Sequence, residues 1–454
     1  MFAGALLAFG VVFPGTLLTS HAAPARPNIL LIVVDDLGWR DVGWHDGKFQ
    51  TPVTDGLVKG GVELDQHYVQ PVCTPTRTAL MSGRYPSRFG PQALAPSNLR
   101  AMPLGTETMA SALKSLGYAT CMAGKWHLGS REEWGPNHYG FDHSYGSLTG
   151  AVDPWTHFYR EGAYMKTWHR EGQRIDEEGN ATELVAAQIV KWIQEQSAPW
   201  FIYVPFHAIH VPVDAPLEYK ARYAGVKFHD DPQKQDSLLR LAAMVTQVDT
   251  KIGEFVAALE QSGQRQNTLI VFTSDNGGKT KSDNPYVGTV PASPANSDNA
   301  PLRGEKGGLY EGGIRVPAFA NWPGTLAPRK VAAPMHAVDW FPTIAKLVGY
   351  EPAKDLNWDG MDKWPAITGK VAQPEPRTIY IPLRKGSALR DGDWKLIERA
   401  DGTIEVFNLA EDPFEKTDLA AREPKRVEEL RARLAEIKKQ DRKDLPEDLV
   451  GVPD

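Results

Sequence analysis

Uninterrupted apolar runs that end in polar residues recur along the first part of the chain. The run NILLIVVDD at 28–36 ends in two aspartates, and NTLIVFTSDNGG at 267–278 repeats this design. Two further runs, GYATCMAGKWHLG at 117–129 and PWFIYVPFHAIHVP at 199–212, end in basic side chains. Runs of this kind are typical of parallel strands that are buried on both faces. We therefore predict four strands whose carboxyl ends carry function.

Amphipathic stretches alternate with these predicted strands. Apolar residues recur at three- and four-residue spacing in TMASALKSLG, ATELVAAQIVKWIQEQ and DSLLRLAAMVTQVDTKIGEFVAALEQSG. This spacing predicts helices. Alternating strands and helices predict an α/β sandwich with its functional site along one edge of the sheet.

The pattern changes after about residue 355. Short strand-like runs with turns follow (TIYIPLR, SALRDGDWKLIER and TIEVFNLAEDPFE), and then the charged stretch REPKRVEELRARLAEIKKQ. The last stretch predicts a helix with Val427, Leu430, Leu434 and Ile437 on one face, which we expect to dock on a sheet because a coiled coil needs more heptads. We predict a main α/β domain at 27–354 and a smaller α+β subdomain, with an antiparallel sheet and a helix, at 355–454.

The amino terminus has the composition of an export signal. The uncharged run FAGALLAFGVVFPGTLL is followed by small residues suited to cleavage near Ala23. We predict a signal peptide at 1–23 and an exported protein, periplasmic or secreted, without a stable membrane span after removal of the signal. The alternative is a short membrane anchor, for which the run is marginal in length.

Composition and net charge limit the kinds of molecule that the protein is expected to bind. The chain has 454 residues, of which 42% are hydrophobic and 23% charged, as expected of a globular protein with a large core. Its net charge of -6 provides no overall attraction for nucleic acid, so an anionic substrate must meet a local cluster of cations. Cys73 and Cys121 are the only cysteines, so at most one disulfide is available, and none if Cys73 is chemically active.

Oxygen ligands for a metal follow two of the predicted strands. Asp35 and Asp36 leave the first strand, and Asp275 and Asn276 leave the last. Because the ends of parallel strands meet along one edge, these side chains form a predicted site for Ca²⁺ or Mg²⁺. The alternative is that both sequences serve only as turns and caps.

Basic residues accompany the same strand ends. They are Arg77, Lys125, His127, His210 and Lys306. Each one alone could be an ordinary surface or buried polar residue. Together with a metal they describe a site that holds a substrate anion, as phosphoryl or sulfuryl transfer requires.

Six motifs in order resemble those of type I, formylglycine-dependent sulfatases. CTPTR at 73–77 matches the family's C-x-P-x-R signature, and TALMSGRYP continues it. The VVDD and SDNGG strand ends, GKWHLG, PFHAIHVP and RGEKGGLYEGGIRVP also match, over a span from about 27 to about 420. The set is most similar to the arylsulfatase A and B branch, which includes N-acetylgalactosamine-4-sulfatase-like and bacterial polysaccharide sulfatases. The resemblance implies an alkaline-phosphatase-like sandwich with a large mixed central sheet flanked by helices.

The resemblance also implies a modified cysteine. A dedicated maturation enzyme would oxidise Cys73 to Cα-formylglycine. The hydrated aldehyde carries two hydroxyls, so one attacks sulfur and the other later expels sulfate without a second nucleophile.

Roles for the remaining residues are implied in the same way. The modified Cys73 would hold one Ca²⁺ together with Asp35, Asp36, Asp275 and Asn276. Arg77 would orient the hydrate, and His127 would take the proton of its second hydroxyl. Lys125 and Lys306 would bind the sulfate, and His210 with Lys306 would help the alkoxide to leave. His207 is the closest alternative to His210.

The implied function is hydrolysis of a sulfate ester, on a sulfated carbohydrate or an aryl sulfate. We favour a carbohydrate because exported enzymes commonly meet sulfated glycans. Alternatives are a phosphate ester or phosphonate hydrolase, or a non-catalytic sulfated-glycan binder if Cys73 is not modified. Tryptophans near the motifs could stack on sugars, although ordinary packing is favoured for each: Trp39, Trp44, Trp126, Trp134 and Trp155.

Two features outside the motifs have expected roles. The loop at 280–303 is rich in Ser, Pro, Asn and Asp and is long enough to be functional or mobile. Asn180 opens a glycosylation sequon, but we favour its role as a helix N-cap.

Overall fold

The computed structural model describes residues 1, 26–197, 199–281, 286–371 and 376–454. The predicted signal peptide therefore lies almost entirely outside the described residues. The described strands, in chain order, are β1 (Asn28–Val34), β2 (Val62–Leu64), β3 (His67–Tyr68), β4 (Ala119–Lys125), β5 (His143–Ser147), β6 (Trp168–Arg170), β7 (Gln173–Arg174), β8 (Trp200–Pro205), β9 (Thr268–Ser274), β10 (Ala318–Asn321), β11 (Arg329–Val331), β12 (Met335–His336), β13 (Thr378–Leu383), β14 (Gly386–Asp391), β15 (Trp394–Arg399) and β16 (Ile404–Asn408).

Helices connect these strands and cover the main sheet. The described helices are α1 (Pro52–Lys59), α2 (Cys73–Ser82), α3 (Met109–Ser115), α4 (Ala181–Glu195), α5 (Leu217–Ala221), α6 (Pro232–Gln261), α7 (Glu311–Ile314), α8 (Trp340–Val348), α9 (Trp364–Thr368) and α10 (Pro424–Lys438). The three helices predicted from periodicity are α3, α4 and α6, and all three are confirmed.

The main sheet has ten described strands in the order β11-β2-β10-β9-β1-β8-β4-β5-β6-β7. The four predicted strands, β1, β4, β8 and β9, are neighbours at its centre and run parallel. β10 is antiparallel to both β9 and β2, so the sheet is mixed. The predicted fold class is confirmed. The short edge strands were missed because runs of two to five residues carry little periodicity.

Strand β1 divides the protein core into two layers. Ile29, Leu31 and Val33 point into one apolar cluster, whereas Leu30 and Ile32 point into the other. Side chains of α2, α3 and α8 fill the first cluster, and those of α4 and α6 fill the second. This two-sided burial explains why β1 is apolar throughout and shows no alternation of polar residues.

A second sheet of four antiparallel strands, β13-β14-β15-β16, follows the main one. The run SALRDGDWKLIER folds as the hairpin of β14 and β15. Helix α10 buries Leu430 and Leu434 against this sheet, with Val427 and Ile437 at the margin, as predicted. The opposite face packs on Leu309 and Ile314. The proposed boundary at residue 355 stays a prediction.

Asn180 caps a helix. Its side-chain oxygen accepts hydrogen bonds from the backbone N–H groups of Thr182 (3.0 Å) and Glu183 (3.4 Å) at the start of α4. The favoured interpretation is confirmed, and the side chain is buried. Across the described residues, no helix is both long and apolar enough to cross a bilayer.

A buried ion cluster connects the second sheet to the first residue of α7. The Lys395 ammonium on β15 lies 2.9 Å from the Glu311 carboxylate and 2.7 Å from that of Glu415. Glu415 also accepts the backbone N–H of Glu311 at 2.6 Å, and Glu311 accepts the Tyr68 hydroxyl at 2.7 Å. All four side chains are buried, so water does not stabilise the three charges. Each charge is instead stabilised by its partners in the cluster.

Replacing Lys395 with alanine should strongly destabilise the protein. The change leaves two buried carboxylates without their cation, which typically costs about 3 to 5 kcal/mol of unfolding free energy. Urea denaturation measures this loss. The control is Lys439→Ala, which removes an exposed pair with Glu436. Equal stability of both variants would show that the cluster contributes nothing.

Candidate active site

The ends of β1 and β9 bring the predicted metal ligands together. Val34 and Ser274 are register partners, so the residues that follow them emerge side by side. The backbone N–H of Asp36 donates to Asp275 Oδ1 at 3.3 Å. Asp35, Asp36, Asp275 and Asn276 are all buried. The predicted convergence of the two strand ends is therefore present in the structure.

Cys73 is the first residue of α2, a helix whose residues are all buried. The thiol is 2% exposed, and burial raises its pKa. The next residue, Thr74, donates its hydroxyl to the backbone carbonyl of His127 at 3.1 Å, which connects the start of α2 to the loop after β4.

The acidic cluster has the composition of a divalent-cation site. Ligand atoms of Asp35, Cys73 and Asp275 lie within 4.8 Å of one another, and so do those of Asp35, Asp36 and His210. Three buried oxygens have no hydrogen-bond donor among the described residues: Asp35 Oδ1, Asp36 Oδ2 and Asn276 Oδ1. Unsatisfied buried oxygens of this kind fit a hard cation such as Ca²⁺ or Mg²⁺.

Three cations surround this cluster, and each contacts a carboxylate. Arg77 Nη2 lies 2.7 Å from Asp275 Oδ2, and Arg77 Nη1 donates to the Lys125 carbonyl at 2.9 Å. The Lys125 ammonium contacts Asp35. The Lys306 ammonium lies 2.5 Å from Asp36 Oδ1. The predicted basic residues are therefore gathered around the predicted metal ligands.

The pKa values of the neighbouring Asp35 and Asp36 are shifted in opposite directions. Burial, and then the Asp275 carboxylate, raise the pKa of Asp35 to about 8. Burial alone would also raise the pKa of Asp36, but Lys306 and His210 hold it well below its usual range. Crowding of carboxylates disfavours their ionised forms, and a bound dication would relieve it.

His127 follows β4 in a left-handed backbone conformation, with φ of 54°. Burial, with Lys125 and Arg77 nearby, lowers its pKa well below the ordinary value, which favours the neutral imidazole. Its Nδ1 has no hydrogen-bond partner among the described side chains and backbone groups. Asp36 is likewise left-handed, with φ of 65°. Such conformations in non-glycine residues often mark functional positions, and no sequence signal predicted them.

The structure separates the two histidines that the sequence could not distinguish. His210 Nε2 lies 3.8 Å from Asp36 Oδ2, and its Nδ1 is 2.7 Å from the Val211 carbonyl. His207 instead bonds the Ser147 hydroxyl at 2.8 Å. The choice of His210 as the residue at the site therefore agrees with the geometry.

A cavity of about 350 Å³ opens above this cluster. Its lining includes four of the predicted site residues, which we call its inner part: Cys73, His127, His210 and Lys306. Arg77 and Lys125 are fully buried beneath them. The volume is within the range of small-molecule sites.

The outer part of the cavity contains residues that the sequence did not indicate. They are Asn98, Tyr159, Arg160, Lys279, Tyr286 and Asp454. None belongs to a recognised motif, so only the folding of distant loops reveals them. Tyr286 lies within the loop at 280–303, and Lys279 immediately precedes this loop. The loop therefore contributes to the lining of the cavity.

The tryptophans near the motifs mostly serve packing. Trp39, Trp126 and Trp134 are buried, and Trp44 packs on Phe272 and Phe319. Trp155 lines a separate open groove of about 580 Å³.

Fold and site together define an α/β protein of the alkaline-phosphatase-like class, with buried carboxylates and cations where its parallel strands end. The chain belongs to the sulfatase family, whose sequence model matches residues 27–350. It is a sulfuric ester hydrolase, as predicted from its motifs. Members of this family generally use a formylglycine and a divalent metal.

Named relatives agree with this assignment. Mouse (Mus musculus) arylsulfatase J is 30% identical over 92% of this chain and 77% of its own length. Human (Homo sapiens) arylsulfatase A is 31% identical over 90% of this chain and 82% of its own length. The crystal structure of Ps i-CgsB in complex with k-i-k-neocarrahexaose is 30% identical, with a TM-score of 0.81 over 92% of this chain and 94% of that one.

Gly150 sets the position of the His127 ring. A Cβ atom at Gly150 would lie 2.4 Å from this ring. We expect Gly150→Ala to displace the imidazole and lower kcat about 100-fold, because small misplacements of reacting groups have effects of that size. Sulfate-release kinetics measure kcat. Gly56→Ala is the control, since its Cβ would meet nothing within 4 Å. Full activity of Gly150→Ala would contradict the need for this ring position.

Proposed function

We propose that this sulfatase cleaves sulfate esters of a carbohydrate, with Cα-formylglycine at position 73 and one Ca²⁺. The observation that carries the proposal is the placement of Cys73. It lines the inner cavity beside His127, His210 and Lys306, and its sulfur lies within 4.8 Å of ligand oxygens of Asp35 and Asp275.

The acidic cluster is the proposed calcium site. Asp35, Asp36, Asp275 and Asn276 would hold the ion together with residue 73. The all-oxygen set of side chains from the two strand ends favours a hard cation over zinc or copper. A bound Ca²⁺ would stabilise negative charge on the sulfate and on the nucleophile.

The surrounding side chains have distinct proposed roles. A formylglycine hydrate supplies the hydroxyl nucleophile. Arg77, fixed by Asp275 and the Lys125 carbonyl, orients residue 73. His127 accepts a proton on its imidazole, which burial keeps neutral. The Lys306 ammonium stays protonated because neighbouring carboxylates outweigh burial and raise its pKa.

Lys306 and His210 are the groups proposed for the leaving oxygen. Both line the cavity and both face Asp36, so they form one side of the inner site. Lys125 lies deeper, in contact with Asp35, and we propose that it binds the sulfate with Lys306. Fixed cations in a water-poor site stabilise developing negative charge strongly.

A carbohydrate is the favoured leaving group. One similar structure contains a neocarrahexaose, as its name states. The cavity is bordered by polar side chains such as Asn98, Arg160 and Asp454, which suit a hydroxylated ligand. The apolar leader at 2–18 supports export to the periplasm or medium, where sulfated polysaccharides occur. A formylglycine-generating maturation enzyme is the implied partner.

Modification of Cys73 is directly measurable. In protein purified from a host with a formylglycine-generating system, we expect the peptide containing residue 73 to be lighter by about 18 Da than its cysteine form, because an aldehyde replaces the thiol. Cys73→Ala should lose sulfate release and keep its thermal transition.

The matched control is Cys121→Ala, because Cys121 is buried on β4 and lies outside the cavity lining. It should retain turnover. Sulfate release by a clean Cys73→Ala preparation would refute the nucleophile assignment. An unmodified thiol in active protein would refute the formylglycine.

Chelation should inactivate the enzyme and lower its melting temperature. Removal of a cation that binds only the folded state lowers stability, and it leaves three carboxylates crowded together. Calorimetry and sulfate release after EDTA treatment measure both effects. Calcium should restore them more fully than magnesium, which demands stricter octahedral geometry. Unchanged activity and melting temperature after exhaustive chelation would remove the metal from the proposal.

A further inference from the structure

A short part of the loop at 280–303 contacts both of the turns that carry the proposed metal ligands. We propose that Asn299, in this loop, is a positioning residue for the cation site. It fixes the turn after β9, and with it Asn276 and Lys306, in the arrangement that a bound cation and a sulfate require. This inference rests on the proposed function and assigns a role to a loop that lies outside the recognised motifs.

Asn299 bonds both backbone groups of Gly278. Its side-chain oxygen accepts the Gly278 N–H at 2.8 Å, and its side-chain nitrogen donates to the Gly278 carbonyl at 2.9 Å. Asn299 is 6% exposed, so water does not compete for these two bonds. A pair of hydrogen bonds from one planar amide fixes both the distance and the orientation of the peptide groups that it meets. The position of Gly278 therefore depends on Asn299.

Gly278 is connected to two residues of the proposed site. It lies two positions after Asn276, whose Oδ1 has no hydrogen-bond donor among the described residues. The Gly278 carbonyl also accepts the backbone N–H of Lys306 at 3.1 Å. A displacement of Gly278 would therefore move a proposed metal ligand and a proposed sulfate-binding cation together.

The two residues before Asn299 hold the turn after β1. The Asp298 N–H donates to Asp41 Oδ1 at 2.9 Å, and the Ser297 hydroxyl donates to Asp41 Oδ2. Asp41 Oδ2 also accepts the Gly38 N–H at 2.8 Å, and Gly38 lies two positions after Asp36. The segment 297–299 thus contacts the turn of Asp36 through Asp41 and the turn of Asn276 through Gly278.

These two turns pack directly against each other. A Cβ atom at Gly278 would lie 1.9 Å from Ser297 Oγ and 2.8 Å from Gly38 Cα. No space is left for either turn to shift unless the segment 297–299 shifts as well. Residues that hold metal ligands in place without touching the metal commonly set its affinity. Asn299 acts in this way, through Gly278.

The test replaces Asn299 with alanine, which removes both bonds to Gly278. We expect the Kd for calcium to rise about 10- to 100-fold, the usual effect of losing a contact that orients a metal ligand. Calorimetric titration of EDTA-treated protein with calcium chloride measures this Kd. Release of sulfate from 4-nitrophenyl sulfate at saturating calcium measures kcat, which should also fall because Lys306 is held by the same carbonyl. Asn299→Ser, whose side chain is too short to reach both groups, should also bind calcium more weakly.

The matched control is Asn321→Ala. Asn321 is likewise a buried asparagine, 4% exposed, and its side chain donates to the Leu57 carbonyl at 2.8 Å. It lies beside Ile270 near the start of β9, whereas the site follows the end of this strand. Asn321→Ala should lower the melting temperature of the calcium-free protein, as Asn299→Ala does, but leave the calcium Kd and kcat unchanged.

Three outcomes would overturn the role of Asn299. They are an unchanged calcium Kd in Asn299→Ala, an equal rise of Kd in Asn321→Ala, and failure of both Asn299 variants to fold when Asn321→Ala folds. A wild-type chain that binds no calcium would refute this inference and the proposed metal together. Calcium binding that weakens only in the Asn299 variants, without sulfate release by any form, would uphold the inference and refute the proposed function.

Discussion

The structure depends on a cluster of three buried carboxylates where the central parallel strands end. Asp35, Asp36 and Asp275 meet because β1 and β9 are parallel neighbours in register. Their repulsion is offset by Arg77, Lys125 and Lys306, which reach the cluster from α2, β4 and the loop before α7. Distant segments of the chain are thereby required to fold together, and the same charges form the proposed anion site.

The second sheet contributes to the site without touching it. Lys395 of this sheet and Glu415, which follows it, form an ion cluster with Glu311. Glu311 belongs to the segment that begins at Arg303 and ends in α7. Arg303 donates to the Glu415 carbonyl at 2.7 Å, and Gly307 N–H donates to the Pro71 carbonyl at 2.7 Å. The segment that carries Lys306 is thus held between the start of α2 and the second sheet.

Much of the fold could be predicted because the central strands are long and buried on both faces. Their apolar runs, and the polar residues that end them, indicated the sheet edge where Asp35 and Asp275 meet. The order of the strands could not be predicted, since neighbours such as β1 and β9 are separated by more than 230 residues. His207 and His210 have the same local context, and only the path of the loop decided which one faces Asp36.

The sequence by itself determined the chemistry: which carboxylates and cations are available, the cysteine within C-x-P-x-R, and the periodicity that builds an α/β sandwich. Tertiary structure alone decided which residues line the outer part of the cavity. Arg160, Tyr286 and Asn98 come from three separate loops and carry no shared pattern. Their meeting results from how those loops pack over the sheet edge, and long-range packing of that kind leaves no periodic signal in any one segment.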